Sequence, residues 1–235
     1  MLKNTQINRA ITLKIANALG ELNERVVFVG GAVVSLYIDD PAADDVRPTQ
    51  DIDFTLDIAH FAELESFRET LIKKGFYQTS EDDVICRFRY DDIKVDVMAT
   101  KAVGWAPANR WFAPGFESPI HFYLDGKTIR CLSLPYFLAS KFEAFYGRGT
   151  KDPRTSKDME DIAYILNHTM DLEKQVLASE ATVKQYLVDC FQDILQDFVK
   201  QEAILANLFH EDQDTRFNKI LNTLKKICDA LQRTQ

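Results

Sequence analysis

The feature that most restricts the fold of this chain is a change of pattern at Ser133. Before this residue, short apolar or alternating segments typical of β-strands are interleaved with helical ones. After it, apolar residues recur at helical spacing almost to the end. We therefore predict an α/β (α+β) domain with a short mixed sheet over residues 1–132. An all-α helical-bundle domain follows over residues 133–235.

The individual elements follow from apolar spacing and from turn residues such as Asp91-Asp92 and Asp125-Gly126. The predicted strands are Val26–Val29, Asp51–Leu56, Val84–Tyr90, Ile93–Met98, Ile120–Leu124 and Thr128–Leu132. Residues Thr5–Leu22 have a helical period that Gly20 closes. The other predicted helices are Ala32–Tyr37, Phe61–Lys74, Ser133–Phe145, Lys157–Asn167, Asp171–Val176, Thr182–Leu208 and Gln213–Leu231.

Composition excludes several classes of protein. The apolar runs are too short to cross a bilayer and no signal peptide is recognisable, so we expect a cytoplasmic protein without a membrane partner. The four cysteines lack metal-ligand spacing, which argues against zinc and against a disulfide framework. A formal net charge of −8 argues against coating nucleic acid by bulk attraction, although a local basic face remains compatible with it.

The residues best suited to bind phosphate or metal are one glycine pair and the aspartates of two strands. The strand Val26–Val29 runs into Gly30-Gly31, where backbone N–H groups can approach phosphates. In a strand, alternate residues share a face, so Asp51 and Asp53 point to one site. Carboxylate oxygens of this kind are the ligands that Mg²⁺ prefers.

A third acid, Asp96, stands between Val95 and Val97 in a later strand. If that strand neighbours Asp51–Leu56, three carboxylates meet, and such a set can hold the two metal ions used in phosphoryl transfer. We expect two Mg²⁺ ions, which Mn²⁺ can replace. Asp96 is also a candidate base for the acceptor hydroxyl. Each piece alone has an ordinary structural explanation, whereas their order along the chain is more specific.

This order of strand, glycine pair, helix, Asp-x-Asp strand and isolated Asp strand resembles the DNA polymerase β nucleotidyltransferase superfamily. The resemblance implies that Gly30 and Gly31 contact the triphosphate of an NTP. It also implies that Asp51, Asp53 and Asp96 bind metal and carry the catalysis. Ser35, one helical turn beyond Gly31, becomes a candidate phosphate neighbour.

A second set of sequence motifs points to one group within this superfamily. Arg47–Phe54 looks like the R-x-T-x-D-I-D-F motif of the AbiEii group, the toxins of abortive-infection and type IV toxin–antitoxin systems. Ser133–Ala144 and Lys157–Ile162 resemble its lysine helix and K-D-x-x-D helix. In that group the helical domain completes the nucleotide cleft, and an antitoxin is the implied partner. The candidate nucleotide-binding residues are therefore Gly30, Gly31, Ser35, Thr49, Lys141, Lys157 and Asp158.

Several alternatives stay open at this point. The acceptor hydroxyl can belong to a tRNA or other RNA, to a small molecule such as an aminoglycoside, or to a protein. The chain can also be an inactive binding module, although three retained carboxylates argue against it. The acidic segment Asp39–Arg47 is either a surface excursion or a gate for a cationic acceptor. Arg148, Lys151, Arg154 and Lys157 form either a solvated loop or a contact for triphosphate or RNA.

Overall fold

The computed structural model describes residues 2–148 and 152–233, which form two compact units. The first unit contains the chain up to Leu36 together with Asp45–Ser133. The second contains Tyr37–Asp44 and the chain from Leu134 onward. The junction after Ser133 lies next to the boundary predicted at residue 132. The segment Tyr37–Asp44, which the sequence analysis placed in the first domain, is part of the second unit.

A six-stranded mixed sheet forms the centre of the first unit. Its strands are β1 (Val26–Val29), β2 (Asp51–Leu56), β3 (Arg87–Tyr90), β4 (Ile93–Ala99), β5 (Ile120–Leu124) and β6 (Lys127–Cys131). They are arranged in the order β3-β4-β2-β1-β6-β5. The pairs β2–β4 and β1–β6 are parallel and the other pairs are antiparallel. The prediction of a mixed sheet is confirmed.

Helices and tight turns complete the first unit. The α-helices are α1 (Lys3–Leu19), α2 (Phe61–Lys73) and α3 (Phe112–Phe116), and Gly20–Arg25 and Gly31–Leu36 are 3₁₀ helices. Helix α1 ends at Gly20, where φ is 58°, which confirms the prediction that this glycine closes the helix. Asp125 and Gly126 have φ values of 44° and 80°, a left-handed conformation that suits a tight hairpin turn.

The second unit is all-α, as predicted. Its helices are α4 (Leu134–Gly147), α5 (Lys157–His168), α6 (Leu172–Ala178), α7 (Ala181–Gln196), α8 (Phe198–Ala206) and α9 (Gln213–Gln232), with a 3₁₀ turn at Pro153–Thr155. The prediction of a single helix over Thr182–Leu208 is wrong, because the helix is interrupted at Asp197. The carboxylate of Asp197 accepts hydrogen bonds from the backbone N–H groups of Val199 and Lys200 and so caps the next helix.

The length and polarity of the helices bear on membrane insertion. Among the residues that the structure describes, no helix is both long enough and apolar enough to span a bilayer.

Candidate active site

Three carboxylates share one face of the sheet in the first unit. On the parallel strands β2 and β4, Asp53 lies opposite Asp96 and Asp51 lies opposite Lys94. Residues opposite each other in a ladder project to the same side, as do alternate residues of one strand. Ile52, between the two β2 aspartates, points the other way and is fully buried. The register therefore places Asp51, Asp53 and Asp96 on one face of the sheet.

Gly30 stands directly beside this acidic face. Val29 lies opposite Asp53 in the β1–β2 ladder, so the chain passes the carboxylate as it leaves β1. Gly30 has a φ of 80°, and a β-carbon added there would lie 1.9 Å from Oδ2 of Asp53. At Gly31, an added β-carbon would lie 2.3 Å from Nη2 of Arg47. The glycine pair therefore leaves room for one acidic and one basic side chain.

The segment that enters β2 is held by a buried asparagine of α1. Asn8 is 0% exposed and donates through Nδ2 to the carbonyl of Arg47 at 3.1 Å. Its Oδ1 accepts from the backbone N–H of Thr49 at 3.3 Å. The Thr49 hydroxyl in turn donates to Oδ1 of Asp51 at 2.5 Å. Thr49 therefore orients a predicted metal ligand, and the sequence analysis missed Asn8, whose only signal was a polar residue inside an amphipathic helix.

Asp96 is engaged by an arginine that the sequence analysis also missed. Arg87 lies opposite Asp96 in the β3–β4 ladder. Its Nε and Nη2 each donate to one oxygen of Asp96, both at 2.7 Å. This hydrogen-bonded pair raises the pKa of the Arg87 guanidinium, and the negative charge of Asp51 contributes. The adjacent Cys86 has its thiol pKa raised to about 11, first by burial and then by the charge of Asp96.

The residues on this face fit a divalent cation by their donor chemistry, because all three offer carboxylate oxygens from one side of the sheet. The side chains themselves are not gathered for it. Within residues 2–148 and 152–233, no group of three or more His, Cys, Asp or Glu side chains is arranged to hold a metal ion. Both oxygens of Asp96 are turned to Arg87 instead. The three-carboxylate metal site stays a prediction.

Ser35 has a different environment from the one predicted. It is 4% exposed, within the 3₁₀ helix that follows the glycine pair. Its hydroxyl accepts a hydrogen bond from Nε of Arg9 at 3.4 Å, and its carbonyl accepts one from Nη2 of Arg9 at 3.1 Å. These contacts tie Ser35 to α1. Its proposed role beside the phosphates stays a prediction without a contact that supports it.

The acidic segment before β2 is used in structural contacts. In the second unit, Asp39 accepts from the backbone N–H of Met170 at 2.6 Å. Asp40 accepts from Nη1 of Arg216 at 3.2 Å and lies 3.3 Å from Nδ1 of His168. Burial raises the pKa of Asp40, but the hydrogen bonds from its neighbours lower this pKa by a larger amount. The net shift of the Asp40 pKa is therefore downward. These two carboxylates therefore serve contacts within the second unit, and the role of the segment as a gate for a cationic acceptor stays a prediction.

Asp45 has a comparable structural role in the first unit. Its carboxylate accepts from the backbone N–H groups of Asn4 at 2.7 Å and Thr5 at 2.8 Å. These groups lie in the first turn of α1, where helix N–H groups lack partners within the helix. Asp45 therefore caps α1 from a position far along the chain.

Two of the three candidate residues of the second unit, Lys141 and Asp158, belong to an ion-pair network. Lys141 is 6% exposed, and its Nζ lies 2.7 Å from Oδ2 of Asp161 and 4.0 Å from Oδ1 of Asp158. Asp158 also accepts from Nη1 of Arg148 at 2.8 Å. Lys157, the first residue of α5, is exposed. The structure thus brings Lys141 and Asp158 together and leaves Lys157 facing solvent.

The structure describes only part of the basic loop that contains Arg148, Lys151 and Arg154. Lys151 lies outside the described residues. Arg154 pairs with Asp152, at 2.9 Å between Nε and Oδ1. The prediction that this loop contacts triphosphate or RNA stays a prediction.

Comparison with known protein families assigns the class of this protein. A family model covers most of the chain. The model described as "Nucleotidyl transferase AbiEii toxin, Type IV TA system" matches residues 13–232. The chain therefore belongs to the AbiEii nucleotidyltransferase family. Among curated proteins, a search finds no significant match.

Solved structures with a similar fold include an antigenic nucleotidyltransferase-like protein from Paracoccidioides brasiliensis. It shares 16% identity at a TM-score of 0.48, over 85% of this chain and 92% of that chain. The solution structure of the antibiotic-resistance factor ANT(2'')-Ia shares 17% identity at a TM-score of 0.46, over 82% and 95% of the two chains. Its crystal structure in complex with adenylyl-2''-tobramycin shares 19% identity at 0.47, over 79% and 99%.

Proposed function

We propose that this protein transfers a nucleoside monophosphate from an NTP to an acceptor hydroxyl, in a reaction that depends on Mg²⁺ bound by Asp51, Asp53 and Asp96. The observation that supports this most is the β2–β4 register, which sets Asp53 opposite Asp96 with Asp51 two residues away on the same face. Membership of a nucleotidyltransferase family supports the reaction class.

The residues of the first unit have distinct roles in this proposal. Bound Mg²⁺ would lower the pKa of the attacking hydroxyl and neutralise the triphosphate and leaving pyrophosphate. Gly30 and Gly31 give the triphosphate access to backbone N–H groups. The acceptor oxygen bonds to the α-phosphorus while the bond from that phosphorus to the leaving pyrophosphate breaks. The hydroxyl proton passes to Asp96.

The candidates of the second unit differ in how readily they can bind nucleotide. Lys157 is exposed, so its ammonium can reach phosphate from solvent, and we assign it that role. Lys141 and Asp158 are buried and paired. To bind nucleotide, Lys141 would have to leave Asp161, or Asp158 would have to leave Arg148. They would act mainly by holding α4 and α5 together.

For the acceptor we propose RNA, with tRNA as the first candidate and an antitoxin as the regulatory protein partner. The support is family membership, since the family model describes a toxin of a type IV toxin–antitoxin system. A small molecule such as an aminoglycoside and a protein are the other two acceptor classes. The experiment below separates all three.

The test is a labelling reaction. The protein is incubated with Mg²⁺ and each NTP labelled at the α-phosphate, together with total RNA, cell protein or aminoglycosides in separate tubes. We expect label on RNA, no transfer from γ-labelled NTP, and no label with Asp53→Asn. Asp92→Asn, an exposed aspartate of the β3–β4 turn, should label like the wild type. Label on protein or on an aminoglycoside would replace the acceptor assignment, and label on none would contradict the reaction.

A further inference from the structure

The ion pair between Arg87 and Asp96 lies on the face where a divalent cation is proposed to bind. Asp96 is opposite Arg87 on one side, in β3, and opposite Asp53 on the other, in β2. Arg87 donates to both oxygens of Asp96 at 2.7 Å, in the fork-to-fork geometry of the strongest arginine–carboxylate pairs. The oxygens that a metal ion needs are therefore already bound by a guanidinium.

Arg87 and a divalent cation would compete for these oxygens. Both side chains of the pair are largely shielded from water, with relative exposures of 17% for Arg87 and 15% for Asp96. Charges in such a setting are screened much less than charges on the surface. A divalent cation bound by Asp96 would repel the guanidinium at short distance, so only one of the two cations can use this carboxylate fully at a time.

The displaced guanidinium has a natural second partner. A planar guanidinium presents donors in a fork that matches phosphate as well as carboxylate. A nucleotide on this face brings a polyphosphate beside the strand that carries Arg87. The side chain can then exchange one oxygen pair for another without losing its hydrogen bonds.

We propose that Arg87 is an internal counter-cation that holds Asp96 in the absence of substrate and passes to the polyphosphate when a divalent cation takes Asp96. This inference rests on the proposed function, because it requires a site for metal and NTP. Its consequence is that metal and nucleotide bind with positive coupling, each increasing the affinity of the other equally. Arg87 would thus be a positioning residue for Asp96 that also contacts phosphate.

The test measures binding rather than turnover. Mn²⁺ binding is followed by electron paramagnetic resonance, alone and with the α,β-methylene triphosphates of all four bases. We expect Arg87→Gln to bind Mn²⁺ alone about tenfold more tightly than wild type, the change that follows from removing one charge-assisted competitor. We also expect the variant to bind the analogue about tenfold more weakly in the presence of Mn²⁺. The coupling factor should therefore fall towards one.

A matched control lies two residues further along β3. Arg89 forms the same kind of pair with Asp82, at 2.7 Å and 3.0 Å, and Asp82 is outside the three-carboxylate set. Arg89→Gln should keep wild-type affinities and wild-type coupling. If Arg87→Gln behaves like Arg89→Gln, or binds Mn²⁺ alone more weakly than wild type, the proposal is overturned.

Two further variants cover the remaining outcomes. If thermal unfolding shows that Arg87→Gln does not fold, Arg87→Lys replaces it, because an ammonium keeps the charge and loses the fork. Its Mn²⁺ affinity without nucleotide should exceed the wild-type value, and an unchanged affinity would overturn the proposal. Asp53→Asn tests the underlying site. If wild type binds no Mn²⁺–nucleotide, like Asp53→Asn, both the proposed function and this inference are wrong.

Discussion

Gly30 and Asp53 are packed so closely that a β-carbon at position 30 would lie 1.9 Å from Oδ2 of the aspartate. Gly30 adopts a φ of 80°, which side chains of L-residues rarely accept. The glycine thus meets two requirements at once, a backbone conformation and a space for a carboxylate.

The first prediction separates these two requirements. Gly30→Ala should displace the Asp53 carboxylate and lower kcat about a hundredfold, as expected for a catalytic group moved by about 1 Å. Gly126 has the same φ of 80°, and a β-carbon added there meets nothing within 4 Å. Gly126→Ala should therefore cost about 1 kcal/mol of stability from backbone strain and leave kcat unchanged. Equal losses of activity in the two variants would show that strain, not contact, matters at Gly30.

The second prediction concerns Asn8. Asn8→Ala leaves the buried carbonyl of Arg47 and N–H of Thr49 without their partner, so we expect unfolding in urea to require about 2 kcal/mol less free energy. Because Thr49 carries the hydrogen bond to Asp51, Mn²⁺ affinity should also fall about tenfold. The control is Asn17→Ala, an exposed asparagine of the same helix, which should change neither quantity by much.

The third prediction is a pH dependence of stability. Burial lowers the pKa of His168 below its ordinary value of 6.5, the hydrogen bond with Asp40 raises it, and the charge of Arg216 lowers it again, with a net downward shift. The unfolded chain therefore takes up this proton at higher pH than the folded one. Stability from His168 should be complete above about pH 7 and fall as the pH drops through 6.5.

The measurement is the free energy of unfolding in urea between pH 7.5 and 5. Asp40 also has a lowered pKa, but its contribution is lost only in more acidic solution, below its ordinary value of 3.8. His168→Gln should therefore flatten the slope between pH 7 and 5. A wild-type slope in that variant would assign the pH dependence to other groups.

The fourth prediction concerns the buried pair of Lys141 and Asp161. Lys141→Met leaves the carboxylate of Asp161 buried without its nearest cation, so stability should fall by about 3 kcal/mol. Adding Asp161→Leu removes the stranded charge, and the double variant should recover most of the loss. Urea unfolding of the two single variants and the double variant measures the coupling. An unfolding free energy for Lys141→Met equal to that of wild type would contradict a structural role for this pair.

Local pattern was sufficient for much of the first unit and for the placement of Asp51 and Asp53 on one face of a strand. Residues of a strand alternate between faces, so Asp51-Ile52-Asp53 already placed two acids on one side of a strand. Asp125-Gly126 predicted a hairpin turn, and both residues have the positive φ that such a turn requires. Family resemblance, carried by Arg47–Phe54 and the lysine helix, agreed with the family model over residues 13–232.

Side-chain partners could not be predicted in the same way, because they depend on residues far apart in the chain. The pairing of Asp96 with Arg87 follows from the register of β3 against β4, which a strand pattern does not specify. Asp45 caps a helix about 40 residues away, with sequence separations of 41 and 40 to its two donors. The alternating pattern of the strand therefore determined which acidic residues lie on the same face. The packing of the whole unit determined that one of those acids is held by an arginine.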